Sequence, residues 1–525
     1  MIINEHDLAL ALKNKQVLLP IGSKLSGEYP YHIANIANVV KQNNGSLTIF
    51  DHEEPKRENR VLNFIGPSTK ISHEYKSSYY SQLSNRFGTC LSFAKEISLS
   101  KNVQNIIDEI ENLEQVKKIN DELYYSIMSI WMSRNLITLK DRKLSTSEVR
   151  LLQRDVESYF KTCEKINIAL IELNVNLVIV FNGRTPEEVA IKHTAKRYNL
   201  EYFFFERGFR RKNRLFFQKF QTQDTKAMNK YFAKTMNSFS SSDLDIAEKW
   251  ASDWLADQEN SILTNPFIAF ANKSAHLSNL PSGGDLVPVF TSSIDERFSN
   301  LGIDLNQWES QTQALVAISK RINSLGFATA VRIHPNTGWK SWRELIELVA
   351  ALSKEKLAYF LPWENVSSYV LLERAPFIVT WGSTLALEGT ARGVPTFNLG
   401  FSRFDDLIDL EIVSGLTIKD WVPNLGEKPN RKKSLLAIYV SRHFGLKLER
   451  QEWVSTLNLK ENRVLDSGVI RNFFINPYVD FVKCLLFPLN RRPYDIYFIL
   501  KRLLGKRVSD AIMLKFLTIL VSRYE

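Results

Sequence analysis

The stretch APFIVTWGSTLALEGTARGVPTFNLG, residues 375–400, decides the fold. A strand-like apolar run, 377–380, stops at Gly382-Ser383-Thr384. A helix pattern of small residues follows, carrying a single Glu at 388. Gly393-Val394-Pro395 then leads into a second strand-like run. Strand, glycine–hydroxyl turn, helix and strand together make one unit of a parallel α/β sheet. Gly382 lets the chain turn tightly. Ser383 and Thr384 either cap the helix or set hydroxyls and free N–H groups around an anion. Ala386, Gly389 and Ala391 allow close packing of helix on sheet. Glu388, in the second turn, can accept both hydroxyls of a ribose whose phosphate is held at the helix start. The competing reading is a plainly capped helix with a surface carboxylate.

The same alternation extends in both directions. Upstream, LVPVFTSS, ATAVRIHP and LAYFL read as strands separated by helical patterns over 305–324, 339–353 and 365–374. Further upstream, KQVLLPIG and GSLTIFD read as early strands, 100–170 as a charged helical region, and VNLVIVFNGR, a helix from Pro186 and EYFFFERG as a βαβ unit. Pro186 suits a first helical position. Between the two sets lies ANKSAHLSNLPSGGD, 271–285, polar and rich in Ser, Gly and Pro, which reads as a linker. We therefore expect two Rossmann-like α/β domains facing a cleft, over 1–275 and 286–420, and a mostly helical, basic extension over 421–525.

With 525 residues the chain exceeds one ordinary core. Its 44% apolar and 24% charged content is that of a globular protein. Cys90, Cys163 and Cys484 form no CxxC pair and no disulfide framework, which points to a reducing compartment and away from structural zinc. The start, MIINEHDLALALKNK, lacks the basic, apolar pattern of a signal peptide, and no run reaches a membrane-spanning length. We expect a cytoplasmic protein. The net charge is +11, and 471–525 holds ten Lys/Arg against four Asp/Glu, a net of +6. Basic side chains among bulky apolar ones in this tail suit an anionic membrane surface; an ordinary amphipathic helix pair packed on the body is the other reading. No nucleic-acid-binding pattern stands out.

Ligands of parallel sheets sit beyond the carboxyl ends of the strands. Five clusters follow expected strands: Asn182-Gly183-Arg184, Glu206-Arg207-Gly208, Ser292-Ser293 with Glu296, His334-Pro335-Asn336, and Gly382-Ser383-Thr384. An imidazole at a strand end can donate to phosphate, and Pro335 stiffens that turn. Arg332, two residues before His334, points the same way along the strand and adds charge. HPN has no second ligand at metal spacing, and we expect neither a metal nor another cofactor. Glu206 is the carboxylate for deprotonating an acceptor hydroxyl or stabilising an oxocarbenium-like centre; a salt bridge to Arg207, Arg210 or Arg211 is its structural alternative. Glu296 is a second-rank catalytic candidate. Asn182, Arg184 and the Arg207-Gly208 pair offer sugar or acceptor contacts, with Gly183 allowing close approach. Ser292 and Ser293 offer amides and hydroxyls to phosphate. The chain contains no GxGxxG and no GxxxxGK[ST], so NAD and P-loop readings are weak.

FERG, HPN and GST, in that order, resemble the short acidic-Gly, His-Pro and Ser/Thr motifs of bacterial CMP-sugar glycosyltransferases, including sialyltransferases and the Kdo transferases of capsule and lipopolysaccharide synthesis. The wider pattern over roughly 175–400 resembles capsule and surface-polysaccharide biosynthesis proteins. The resemblance implies a GT-B fold, with His334, Ser383 and Thr384 on the CMP phosphate, Glu388 near the ribose and Glu206 as catalytic carboxylate. Those families often carry two acidic residues before the glycine, whereas the second here is Arg207. The function expected is transfer of a sugar, Kdo or another acidic sugar, from a nucleotide donor to a glycan or lipid-linked acceptor, peripheral to the inner membrane. A CDP-polyol phosphotransferase, a sugar-nucleotide epimerase and a silent scaffold of a polysaccharide assembly complex are the rival readings.

Overall fold

The computed structural model describes residues 2–3, 5–21, 29–51, 73–93, 97–133, 143–207, 214–221, 224–260, 285–292, 307–340, 342–364, 366–400, 402, 404–443, 446–447 and 506–524. The chain divides into two compact units. The first comprises 1–127, 143–222 and 444–476; the second comprises 128–142, 223–443 and 477–525.

The first unit is built on an eight-stranded sheet. Its strands are β1 (Ile2–Ile3), β2 (Gln16–Ile21), β3 (Ser46–Asp51), β4 (Cys90–Phe93), β5 (Leu177–Phe181), β6 (Glu201–Arg207) and β7 (Arg214–Gln218), in the order β1-β7-β6-β5-β2-β3-β4, with one further late strand, Leu446–Lys447, on β7. Pairings from β4 through β6 are parallel, and β7 is antiparallel to its neighbours. The sequence dictates this layering through its period of two. In β5, Leu177 and Ile179 join one core cluster while Val178 and Val180 join another, so the strand is apolar on both faces.

The second unit carries a wholly parallel sheet of six strands: β8 (Leu286–Phe290), β9 (Ala328–Arg332), β10 (Ala358–Phe360), β11 (Ile378–Thr380), β12 (Thr396–Asn398) and β13 (Glu411–Ile412). Its order is β10-β9-β8-β11-β12-β13, so the winding starts at β8, runs one way, and resumes on the other side at β11. The late strand Leu446–Lys447 of the first unit is β14. The helix Leu385–Ala391 lies against β11 and β12. A Cβ on Gly389 would stand 2.7 Å from Ile378 Cδ1 and 3.0 Å from Thr396 Oγ1, so this close approach depends on a glycine.

Two doubly wound, Rossmann-like units match the fold class expected, and each strand proposed around 286–400 is present. The division falls elsewhere than the sequence reading put it. Helices Thr225–Asn237 and Ser241–Asn260, expected in the first domain, pack with Arg431–His443 in the second unit. Trp250 sits edge-on to Tyr439 and His443, and Arg442 lies over the Trp254 ring at 5.1 Å. Apolar burial on a late helix outweighs the linker-like composition of 271–285, of which all but residue 285 lies outside the described residues. In the tail, Lys506–Tyr524 turns Met513 and Leu517 into the second unit's core beside Trp342–Lys354. Ala511, Lys515, Thr518 and Ser522 are exposed along its other side.

A largely buried polar hub in the first unit joins Glu122, on helix Asp121–Ser133, to helices Thr146–Glu172 and Pro186–Arg197. Lys192 Nζ donates to Glu122 Oε2, and His193 Nε2 lies 3.0 Å from the same oxygen. Tyr159 Oη is 2.9 Å from His193 Nδ1. With Nε2–H given to the carboxylate, Nδ1 is left to accept from the phenol. Burial pushes His193 down to about 4, with the charges of Lys192 and Lys196 acting in the same direction. Burial also pulls Lys192 below the usual lysine range, with the charge of Lys196 acting in the same direction.

His193 stays neutral when folded but takes a proton at its ordinary value of 6.5 when unfolded. Its contribution is therefore complete above that pH and is lost as pH falls toward about 4. The expected loss is on the order of 2–3 kcal/mol. Thermal melts between pH 7 and 4.5 check this. The His193→Gln variant, which keeps donor and acceptor without the titration, should lose less of its melting temperature than the wild type.

Candidate functional site

Parallel register brings three of the five clusters to one edge of the second sheet. Phe290 pairs with Arg332 on β9 and with Thr380 on β11, so Ser292, His334 and Gly382 occupy equivalent positions two residues beyond. The order reverses between β8 and β11, which is where open α/β sheets receive ligands. His334 and Gly382 belong to strands flanking β8, about 10 Å apart at two strand spacings.

Hydrogen bonds hold this edge. The His334 N–H donates to Thr291 Oγ1 at 2.7 Å, and the Ser292 N–H to Gln311 Oε1 at 2.9 Å. Thr291 and Gln311 are each 2% exposed, so these side chains are struts. Gly382 has φ +59 and donates its N–H to Asn398 Oδ1 at 2.6 Å. The same oxygen accepts from Thr380 Oγ1 at 3.1 Å, while Asn398 Nδ2 donates to Gly400 O and to Asp405 Oδ1. A wholly buried amide thus ties the glycine turn to the end of β12.

The predicted donor-side residues divide in their surroundings. His334 and Pro335 are half-buried at the start of helix Pro335–Lys340. Ser292 and Thr384 are half-buried too. Thr384 occupies the helix-capping position without making a side-chain capping bond, and Ser383, largely buried, accepts the Leu385 N–H at 3.3 Å. Arg332 departs from expectation. Its guanidinium turns inward and donates to Leu361 O at 2.6 Å, Ile333 O at 3.3 Å and Glu364 O at 3.4 Å, anchoring the turn after β10. Glu388 departs as well, being neither a surface residue nor open to a ribose. It is 5% exposed, accepts from Tyr369 Oη at 2.8 Å and lies 3.7 Å from Arg442. Burial raises its carboxyl above the usual range, and Arg442 opposes that shift. Burial with the Glu388 charge raises the Tyr369 phenol. Ser293 and Glu296 lie outside the described residues.

In the first unit, the end of β5 meets the end of β6. Phe181 pairs with Phe205, and the Asn182 N–H donates to Phe205 O at 3.0 Å. Asn182 Nδ2 donates to Glu206 Oε2 at 2.8 Å. Gly183 has φ +80, and a Cβ there would stand 2.6 Å from Phe204 Cε1, so it serves packing at this turn. Arg184 donates its N–H to Glu188 Oε2 at 2.7 Å and accepts from Ser126 Oγ at 2.8 Å. Glu188 closes a capping box with Thr185. Arg207 ends β6 and its side chain is outside the described set, as are residues 208–213, including Gly208, Arg210 and Arg211.

Thr291, Gln311, Asn398, Tyr369 and Arg442 were not singled out from the sequence. Thr291 had a signal, since it belongs to the same FTSS run; the other four act from distant positions. Among the described residues no group of three or more His, Cys, Asp or Glu is arranged to hold a metal ion, and no helix is long and apolar enough to cross a membrane.

The class of molecule defined so far is an α/β protein of two Rossmann-like units, one presenting hydroxyls and an imidazole at its strand ends, the other an amide–carboxylate pair. No protein-family model and no curated protein matches the chain. Solved structures similar to it include a putative UDP-N-acetylglucosamine 2-epimerase from Listeria monocytogenes, at 13% identity over 82% of this chain and 92% of that one, TM-score 0.25. Two KpsC structures from Thermosulfurimonas dismutans are also similar. The β-Kdo 2,7 transferase is 14% identical over 57% of this chain and 88% of its own, TM-score 0.32. The β-Kdo 2,4 transferase is 13% identical over 50% and 79%, TM-score 0.33.

Replacing Asn398 with Ala would leave the Gly382 N–H and the Thr380 hydroxyl without their buried acceptor. We expect a loss of about 1–3 kcal/mol of unfolding free energy, read by urea denaturation of the variant against the wild type.

Proposed function

We propose that this protein is a glycosyltransferase. It moves a sugar from a nucleotide-sugar donor to a glycan or lipid-linked acceptor in the assembly of a capsule- or lipopolysaccharide-type surface polysaccharide. The donor we favour is CMP-activated, carrying Kdo or a related acidic sugar. The observation that carries the reading is the level row of Ser292, His334 and Gly382-Ser383-Thr384 at the point where the second sheet reverses its winding. These groups donate hydrogen bonds and none is a carboxylate, which suits a phosphate. His334 and the hydroxyls would hold the donor phosphate and stabilise it as it departs. Arg332 and Glu388 we assign to holding the loop and helix behind this row. Ser293 stays in the donor-side proposal and Glu296 as a second carboxylate.

Glu206 is the carboxylate we assign to the acceptor side, with Arg184, Arg207 and Gly208 as sugar or acceptor contacts. As a base it would take the proton of the attacking hydroxyl; as a stabiliser it would face the positive charge developing at the anomeric carbon. Attachment to the cytoplasmic face of the inner membrane is part of the proposal and rests on the net charge of 471–525.

A thermal-shift panel of CMP, CDP, UDP, GDP and dTDP tests the donor. Stabilisation by CMP supports the reading, and a preference for UDP or GDP overturns its CMP component. His334→Ala should weaken binding of the stabilising nucleotide roughly tenfold, about 1.4 kcal/mol. Glu206→Gln should leave that affinity intact and lower sugar transfer by roughly 10²–10⁴. Wild-type turnover in Glu206→Gln would remove Glu206 from the chemistry. Product formed without an acceptor would indicate an epimerase, and a product heavier by a polyol phosphate would indicate a phosphotransferase. Binding without turnover would indicate a scaffold.

A further inference from the structure

The end of β5 carries two successive residues in the left-handed region. Asn182 has φ +29, in the left-handed region, and Gly183 follows at φ +80. The Gly183 N–H closes back onto Phe181 O, making a tight three-residue turn centred on Asn182. Glycine would enter this conformation most freely, and asparagine is among the few other side chains that tolerate it. The amide is therefore retained where a bare backbone would do.

Chemistry fixes which way the amide points. An ionised carboxylate only accepts hydrogen bonds, so the atom 2.8 Å from Glu206 Oε2 is the donor Nδ2. Asn182 Oδ1 is then directed away, and it is buried with no hydrogen-bond donor among the described residues. A strained backbone and an unsatisfied amide oxygen thus coincide on the residue that reaches Glu206. Strain that persists beside a reactive group is characteristic of functional sites.

We infer that Asn182 is the positioning residue for Glu206: its Nδ2–H holds the carboxylate in one orientation and favours its charged, proton-accepting form. The inference rests on the acceptor-side assignment of Glu206 made above and replaces the sugar contact expected of Asn182 from the sequence. Asn182 acts through Glu206 and itself touches no reacting atom.

Carboxyl NMR tests this without knowledge of the substrate. The protein is labelled with [5-¹³C]glutamate, the Glu206 signal is identified by its loss in Glu206→Gln, and its titration is followed in wild type, Asn182→Gly and Asn182→Asp. Both substitutions tolerate the left-handed backbone, so a merely structural role leaves the titration unmoved. The inference expects the Glu206 transition to move to higher pH in Asn182→Gly, where the donor is lost. It expects a larger move in Asn182→Asp, where a like charge replaces the donor. The charged residues nearest in sequence to Asn182 and Glu206, namely Arg184, Glu187, Glu188, Glu201, Arg207 and Arg210, are common to all three proteins and cancel in the comparison. Superimposable Glu206 titrations in wild type and Asn182→Gly would overturn the inference. Should one variant fail to fold, the other decides alone. Shifted titrations together with full sugar transfer by Glu206→Gln would uphold the pairing while refuting the acceptor-side assignment.

Discussion

A parallel ladder carries the carboxyl ends of all its strands to one edge, and the second unit depends on that constraint. Phe290, Arg332 and Thr380 form one row across β9, β8 and β11, so whatever follows each strand by the same count arrives at the same level. The chain spends these positions on a serine, a histidine and a glycine. A one-residue slip would invert every side chain along the slipped strand and bury the polar ones against apolar neighbours. Thr291 reinforces the register by accepting from His334, and Asn398 does so from the far side by gripping Gly382.

Charge at this edge follows a consistent division. Two titratable side chains close to it in sequence are withdrawn into protein partners. Arg332 donates to main-chain carbonyls beneath the row, and Glu388 is taken up by Tyr369 and Arg442 behind it. What remains at the strand ends is a set of hydroxyls, an imidazole and main-chain amides. Desolvation makes the withdrawal costly unless each charge is paired or hydrogen-bonded, and the aromatic and guanidinium partners around Glu388 meet that requirement. The outcome is a row whose described side chains offer hydroxyls and an imidazole, with the nearby Asp405 carboxylate engaged by Asn398 and Ser402.

The strand ends were legible because an apolar run interrupted by Gly, Ser or His is a local signal. Phe290 before Thr291-Ser292, and Ile333 before His334-Pro335, can be read without knowing what lies opposite. The partners were not legible, because nothing local to Gly382 announces Asn398, and nothing local to Glu388 announces Arg442 on a helix more than a full turn of the fold later. Glu388 illustrates the difficulty well. The sequence reading put it in the second turn of the helix and the structure has it in the first, yet whether it meets solvent, a ribose or an arginine depends on Arg431–His443 packing over it. The packing partners of helices Thr225–Asn237 and Ser241–Asn260 were hidden for the same reason. Composition over 271–285 reads as a linker, whereas the helices before it pack through Trp250 and Trp254 on a helix from after residue 430.

Similar winding produces different edges in the two units. In the second, the residues after the strands are held by buried neutral struts and leave donors outward. In the first, the ends of β5 and β6 meet each other directly, and the contact is an amide donating to a carboxylate. The arrangement in the second unit favours binding negative charge, and that in the first unit favours keeping a negative charge in place. The transfer proposed above asks for both capacities on separate groups, one to hold a departing phosphate and one to take the proton of an incoming hydroxyl. The strained turn at Asn182 fits that division of labour. On the inference drawn above, the turn holds one carboxylate in a fixed orientation, which matters for a proton acceptor and not for a carboxylate serving only as a surface charge.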